Sequence, residues 1–114
     1  MAAPRRLTHW LPVVLWGAVI FALSSIPSLS SGLGTWDVVL RKLAHASEYA
    51  VLGLLLVRAL LREVPALALG VAYAISDEVH QAFVRGRHGS PFDVAVDSAG
   101  LLLGVLLWRR ARSP

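Results

Sequence analysis

The fold of this chain is decided by residues 66–81, which read ALALGVAYAISDEVHQ. An apolar run up to Ile75 leads directly into two carboxylates, a histidine and an amide. On insertion scales, one charged side chain at the centre of a membrane helix costs roughly 2.5–3.5 kcal/mol. So many ionisable groups at the end of an apolar run need each other, water or a ligand. We therefore expect the functional site in this part of the protein.

The composition around this stretch is typical of a protein embedded in lipid. Hydrophobic residues make up 56% of the 114 residues and charged residues make up 16%. Ordinary soluble domains have roughly 45–50% apolar residues and about 25% charged residues. The length suits one domain, so residues 1–114 are treated as a single transmembrane domain. The chain has no cysteine, which excludes disulfides, thiolate metal ligands and a cysteine nucleophile.

Four apolar segments divide the chain. They predict helices at about 7–26, 41–61, 64–84 and 92–108, each near the roughly 20 residues that a spanning helix needs. The third is the weakest, because its apolar part ends at Ile75. Pro, Ser and Gly residues separate the first two segments, and a Gly-rich turn precedes the fourth. We expect an all-α integral membrane protein with four transmembrane helices in a compact bundle.

The basic residues predict how this bundle is oriented. They lie at the ends of apolar segments and not on one continuous face, so we expect no nucleic-acid partner despite the net charge of +4. Basic residues concentrate on the cytoplasmic side of membrane proteins. One end of the bundle would hold Arg5, Arg6, Arg58, Arg62, Arg109, Arg110 and Arg112, against Arg41, Lys42, Arg85 and Arg87 at the other. The prediction is a multi-pass protein of the cytoplasmic (inner) membrane with both termini cytoplasmic. The start also resembles a signal peptide, but its long apolar core favours an uncleaved helix.

Polar residues fall on one face of each of the last three segments when these are placed on a helix of 3.6 residues per turn. All of them lie at the predicted outer end, which indicates an outward-facing pocket near the lipid headgroups. Simpler explanations exist for single residues. His45 and Glu48 could form an intrahelical pair, and Asp93 could be a carboxylate favoured by a helix N-terminus. The polar residues are Arg41, Lys42, His45, Glu48, Tyr49, Asp77, Glu78, His80, Gln81, Asp93 and Asp97.

Two motif blocks in these segments resemble the VanZ-like family. The first is RKLAH at residues 41–45 with Tyr49, and the second is SDEVHQAF at residues 76–83 with a following GR and a spaced Ser and Asp. The likeness covers about Lys42 to Gly104. It implies a small multi-helix membrane protein, and the name-giving member is linked to resistance to the glycopeptide teicoplanin. It also implies signature positions at Lys42, His45, Tyr49, Asp77, Glu78, His80, Gln81, Arg87, Ser90 and Asp93.

The chain departs from this family pattern at two positions. It has Arg85 where the family often has Pro, and Asp97 where the family often has Asn. One extra cation and one extra anion could pair with each other.

The residue types point to chemistry on a phosphate-bearing or lipid-linked cell-envelope molecule, with membrane lipids as the other partner. A histidine oriented by a carboxylate can act as a general base, and a basic residue can hold an anion. The candidate catalytic residues are His45, Glu48, Asp77, Glu78 and His80. The candidate substrate-binding residues are Lys42, Tyr49, Gln81, Arg85, Arg87, Ser90, Asp93 and Asp97.

Other functions fit the same residues. A non-catalytic membrane protein could alter the envelope or glycopeptide susceptibility, and a small transporter or proton relay could use intramembrane His and Asp. A His and a carboxylate three residues apart on facing helices is also a metal-binding arrangement in helical bundles. Cations close by oppose a divalent ion, so we expect neither a metal nor another cofactor. Gly100 and Gly104 are expected to pack one helix tightly against another.

Overall fold

The structure is a computed structural model that describes residues 5–25, 35–84 and 91–112. These residues form four α-helices: α1 (Arg5–Ser24), α2 (Thr35–Leu60), α3 (Glu63–Ala82) and α4 (Pro91–Arg112). The prediction of an all-helical, compact chain is confirmed. The bounds of α2 and α4 differ most, because hydrophobicity marks only the apolar part of a helix. Residues 35–40 extend α2 at its start, ahead of the charged Arg41 and Lys42, and basic residues extend α4 at its end, where the helix dipole favours them.

The helices alternate in direction along the chain. Lys42 near the start of α2 contacts Asp93 at the start of α4, so these two helices run the same way. The start of α3 meets the end of α4 through hydrogen bonds that Arg109 donates to Glu63. Hydrogen bonds also tie α1 to its neighbours, since the Trp16 indole donates to the Glu48 carbonyl of α2. The result is an up-down-up-down bundle in which α2 and α4 share the largest interface.

Glycines bring α2 and α4 into backbone contact. A Cβ atom added to Gly104 would overlap the carbonyl oxygen of Ala50, and one added to Gly100 would overlap that of Ala46. Gly53 of α2 contacts the backbone of α4 in the same way. The prediction that Gly100 and Gly104 are packing positions is confirmed, and the close approach follows from the missing side chains.

The connection between α2 and α3 needs only two residues. Leu61 has φ 59°, the left-handed conformation that often ends a helix and that glycine adopts most easily. Its N–H donates to the Val57 carbonyl, and Arg62 is extended before α3 begins. Pro65 lies in the first turn of α3, where a missing N–H costs no helical bond.

Three helices are long and apolar enough to cross a membrane: α1 over Leu7–Ser24, α2 over Val39–Leu60, and α4. In the described residues α3 is not among them, because its last turns carry polar residues. Three of those polar residues are nevertheless buried in the bundle, whereas most of the outer surface of α3 is apolar. The buried ones are Asp77, Glu78 and Gln81, and the exposed ones include Leu69, Ile75 and Val79.

Candidate functional site

Five side chains from three helices meet at one end of the bundle and are called the inner cluster: His45 and Tyr49 of α2, Asp77 and Gln81 of α3, and Asp97 of α4. His45 Nδ1 lies 3.2 Å from Asp97 Oδ1, and His45 Nε2 lies 3.4 Å from Gln81 Nε2. The Tyr49 hydroxyl donates to Asp77 Oδ2 at 3.0 Å. The structure therefore brings together residues that the sequence analysis placed in both its catalytic and its binding sets.

The inner cluster is almost closed to the surroundings. Asp97 and Tyr49 are fully buried, and Asp77 is 3% exposed. One oxygen of each carboxylate, Asp77 Oδ1 and Asp97 Oδ2, has no hydrogen-bond partner in the part of the chain that the structure describes. A buried polar group left unsatisfied costs about 1–3 kcal/mol, and more if it is charged. These two oxygens are thus the most unusual atoms in the cluster.

Helix periodicity and the glycine contacts between α2 and α4 together explain why the side chains of the inner cluster meet. His45 and Tyr49 are four residues apart on α2, as are Asp77 and Gln81 on α3, so each pair shares a helix face. Asp97 has a short side chain and precedes Gly100 by almost one turn. Because the glycine brings the α4 backbone against α2, this short carboxylate reaches His45.

A second pair lies one turn nearer the end of the bundle. Lys42 Nζ is 2.6 Å from Asp93 Oδ1, and it stands 4.9 Å from the centre of the Phe92 ring. Both charged side chains are partly exposed, unlike the inner cluster. Lys42 and Asp93 therefore lie between the inner cluster and the surroundings of the protein.

His80 is separated from His45 and faces α1. Its ring stacks on Phe21 with the ring centres 4.3 Å apart, and Ser24 Oγ lies 3.3 Å from its Nδ1. Ser25 Oγ lies 3.5 Å from the other ring nitrogen. Sequence reasoning did not include Phe21, Ser24 or Ser25. Their spacing of three to four residues on α1 was the only signal that they share a face.

The remaining predicted site residues have different positions. Glu78 is buried on α3, while Glu48 is half-buried on α2 and its backbone carbonyl accepts the Trp16 indole N–H. Asp97 contacts His45. The Asp97–Arg85 pair suggested by the sequence has one member outside the described residues. Arg87 and Ser90 also lie outside them, in the segment between α3 and α4.

An apolar groove runs between α1, α2 and α3, with a volume of about 440 Å³. Two of its residues touch the polar region. Phe21 stacks on His80, and the Tyr73 ring lies 6.3 Å from the Tyr49 ring of the inner cluster. The groove therefore adjoins the polar end of the bundle. Its lining includes Val13, Gly17, Phe21, Leu52, Leu56 and Tyr73.

Comparison with known proteins supplies the family. A family model described as VanZ/LLP1 matches residues 5–112. Neither a curated protein nor a solved structure gives a significant match. The family match runs from the first residue of α1 to the last residue of α4, so it covers the whole helical bundle together with the inner cluster. On this match, the chain belongs to the VanZ/LLP1 family.

Proposed function

We propose that α3 is a fourth membrane span and that both termini are cytoplasmic. A helix of 20 residues is about 30 Å long, which is the thickness of the hydrocarbon core. The burial of Asp77 and Gln81 supports a fourth span. These polar groups lower the mean hydropathy of α3, but they face the inside of the bundle and not the lipid. Arg62 and Arg109 lie at the end opposite the inner cluster, and a basic end favours the cytoplasm. The inner cluster would then lie at the extracytoplasmic end of the bundle.

We propose that this protein binds a phosphate-bearing, lipid-linked molecule of the cell envelope at the inner cluster and acts on it there. The observation that carries the proposal is the convergence of His45, Asp77 and Asp97 from three helices in a buried site. Buried ionisable groups in a membrane segment are expensive and mark functional sites by default. At headgroup depth, the phosphate of a lipid-linked molecule is the group within reach.

The apolar groove supports a substrate with a hydrocarbon chain. A polyprenyl or acyl chain would lie against the groove's apolar lining. Tyr73 and Phe21 line the groove and lie next to Tyr49 and His80 at the polar end of the bundle. One molecule could therefore contact both the groove and the polar end. The chain would provide binding energy in proportion to the apolar surface it covers.

Basic residues near the cluster support recognition of an anion. Lys42 lies one helical turn from His45, toward the end of the bundle. There a phosphate could replace Asp93 as the partner of the Lys42 ammonium group. Arg85 and Arg87 belong to the segment that joins α3 to α4, and both helices contribute to the inner cluster. The start of α4 would add positive potential, because the N-terminus of a helix carries partial positive charge.

A proton relay is the second candidate, and one observation favours it. His45 links three helices through polar contacts with Asp97 and Gln81, and chains of His and carboxylate groups carry protons in membrane transporters. Proton flux into liposomes that contain the purified protein, lost in His45→Leu, would select this function over action on a lipid.

The proposed function is tested with the purified full chain in detergent and a polyprenyl diphosphate as the probe. We expect the protein to bind this lipid and to release phosphate from it. His45→Leu should lose the release, whereas Glu63→Gln, an exposed position at the other end of the bundle, should keep it. Binding without release would select the non-catalytic alternative. A wild-type protein that neither binds the probe nor converts it would refute the proposal.

A further inference from the structure

We propose that the inner cluster binds a divalent first-row transition cation, Mn²⁺ or Zn²⁺, through His45, Asp77 and Asp97. The inference deepens the proposed function and rests on it, because the ion would lie where the phosphate of the lipid-linked molecule arrives. No such ion is expected from the sequence, where cations near the site argue against one.

The three residues already have the spacing of a metal site. One ligand atom from each of His45, Asp77 and Asp97 lies within 4.8 Å of the others. Ligands at 2.0–2.2 Å from a shared tetrahedral ion are about 3–4 Å apart. Small side-chain rotations would therefore close the site. Each ligand comes from a different helix, so the arrangement is set by the tertiary fold and not by local sequence spacing.

The two oxygens without partners point to a ligand. Asp77 holds the Tyr49 hydroxyl with one oxygen and Asp97 contacts His45 with one oxygen. The second oxygen of each carboxylate has no hydrogen-bond partner within residues 5–25, 35–84 and 91–112. Two adjacent buried carboxylates repel each other strongly where water is excluded. A divalent cation would use both oxygens and neutralise both charges.

One of the cations that argued against a metal, Lys42, is already engaged. Lys42 forms an ion pair with Asp93 at 2.6 Å, one turn away from Asp97. The Asp93 carboxylate therefore largely balances the positive charge of Lys42, so that this charge has little effect on the inner cluster. The mixed ligand set favours a transition metal, because imidazole suits Zn²⁺ and related ions while Mg²⁺ and Ca²⁺ prefer oxygen alone.

The neighbours of the three ligands fit the outer contacts of a metal site. Ligating histidines usually donate their second ring N–H to an acceptor that fixes the ring. Gln81 lies 3.4 Å from His45 Nε2, and with its amide turned its oxygen would accept that N–H. His45 Nδ1 would then be free to bind the ion. Tyr49 would hold Asp77 in place through its hydroxyl.

The ion would also remove an electrostatic conflict in the proposed function. A phosphate would be repelled by Asp77 and Asp97 if nothing lay between them. A bound cation can attract a phosphoryl oxygen and stabilise the negative charge that develops on it. A bound metal ion would therefore allow an acidic cluster to bind a phosphate.

Metal content gives the direct test. The full chain, carrying no polyhistidine tag, is purified in detergent, stripped with EDTA, dialysed against Mn²⁺ or Zn²⁺ and analysed by inductively coupled plasma mass spectrometry. We expect about one ion per chain and a higher melting temperature with the ion. Glu63→Gln should behave like the wild type.

Variants of the ligands should give a graded series. His45→Leu and Asp97→Leu should lose the ion and its effect on the melting temperature. Asp97→Asn keeps an oxygen ligand without its charge, so it should bind more weakly but still detectably. Gln81→Leu should weaken binding by about 10–100-fold, as is usual for an outer contact of a ligand. If His45→Leu or Asp97→Leu does not fold, the metal affinities of Asp97→Asn and Gln81→Leu carry the test.

Two results would overturn the inference. One is a wild-type chain that takes up no Mn²⁺ or Zn²⁺ after dialysis. The other is uptake that His45→Leu, Asp97→Asn and Gln81→Leu all leave unchanged, since the ion would then lie elsewhere. Conversion of the polyprenyl diphosphate by a protein that takes up no metal would refute the metal but leave the proposed function intact. Stoichiometric metal binding without any binding of the lipid would support the metal site and refute the proposed function.

Discussion

At the residue scale, the hydrogen bond from Tyr49 to Asp77 joins two side chains that are both buried. We expect Tyr49→Phe to lower the free energy of unfolding by about 1–3 kcal/mol, since it leaves a buried carboxylate oxygen without its donor. Chemical unfolding in detergent measures this. Tyr73→Phe is the matched control and should cost less, because the Tyr73 hydroxyl donates to a neutral backbone carbonyl and is only partly buried. An effect of Tyr49→Phe no larger than that of Tyr73→Phe would contradict this account of the cluster.

Helical periodicity was sufficient to predict which residues share a face, and His45, Tyr49, Asp77 and Gln81 do lie together. It could not separate His45 from His80. His80 follows Asp77 by three residues, which turns it about 60° away on the helix and toward α1 instead of α2. Which helix lies against which face depends on the order of the helices around the bundle. That order is a property of the packed molecule, and no local pattern encodes it.

At the element scale, the contact between α2 and α4 depends on the absence of side chains. We expect Gly104→Ala to lower stability by about 1–3 kcal/mol, because even one methyl group would collide with the Ala50 carbonyl. The loss should appear in thermal unfolding in detergent without any ligand. Gly17→Ala is the control, since its methyl group would meet the Tyr73 ring at an ordinary contact distance. Equal melting temperatures for the two variants would mean that α2 and α4 are farther apart than described.

The turn between α2 and α3 gives a prediction of the opposite sign. Leu61 is exposed and has φ 59°, a conformation that disfavours side chains by roughly 1–2 kcal/mol per residue. Leu61→Gly should therefore raise the melting temperature or leave it unchanged, while Arg62→Gly, at an extended residue, should not raise it. A clear loss of stability in Leu61→Gly would show that this leucine contributes through contacts and not through its backbone.

Helix number and the packing role of Gly100 and Gly104 could be predicted, because apolar length and small residues four apart are local signals. The start of α2 could not, since the charged Arg41 and Lys42 separate residues 35–40 from the apolar run that begins at Leu43. The role of Gly53 was likewise missed. A single glycine in a helix gives no spacing pattern, and only its contact with Leu101 of α4 reveals its function.

At the scale of the whole molecule, four spans would place both termini inside the cell and the inner cluster outside. Cysteines introduced singly into the cysteine-free chain test this. Ser30→Cys and Ser90→Cys should react with an impermeant thiol reagent added to intact cells, and Ser113→Cys should react only after the membrane is opened. Labelling of Ser113→Cys in intact cells would contradict the proposed orientation. A three-span arrangement would protect either Ser30→Cys or Ser90→Cys.

The central claim is that the inner cluster acts on a phosphate-bearing, lipid-linked molecule, and lipid mass spectrometry of whole cells tests it most directly. Cells without the protein are compared with cells that hold equal amounts of the wild type, His45→Leu or Glu63→Gln. We predict that the wild type and Glu63→Gln change the level of one polyprenyl phosphate or diphosphate in the same direction, and that His45→Leu matches cells without the protein. Identical pools of these lipids in all four strains, or a His45→Leu strain that matches the wild type, would contradict the claim.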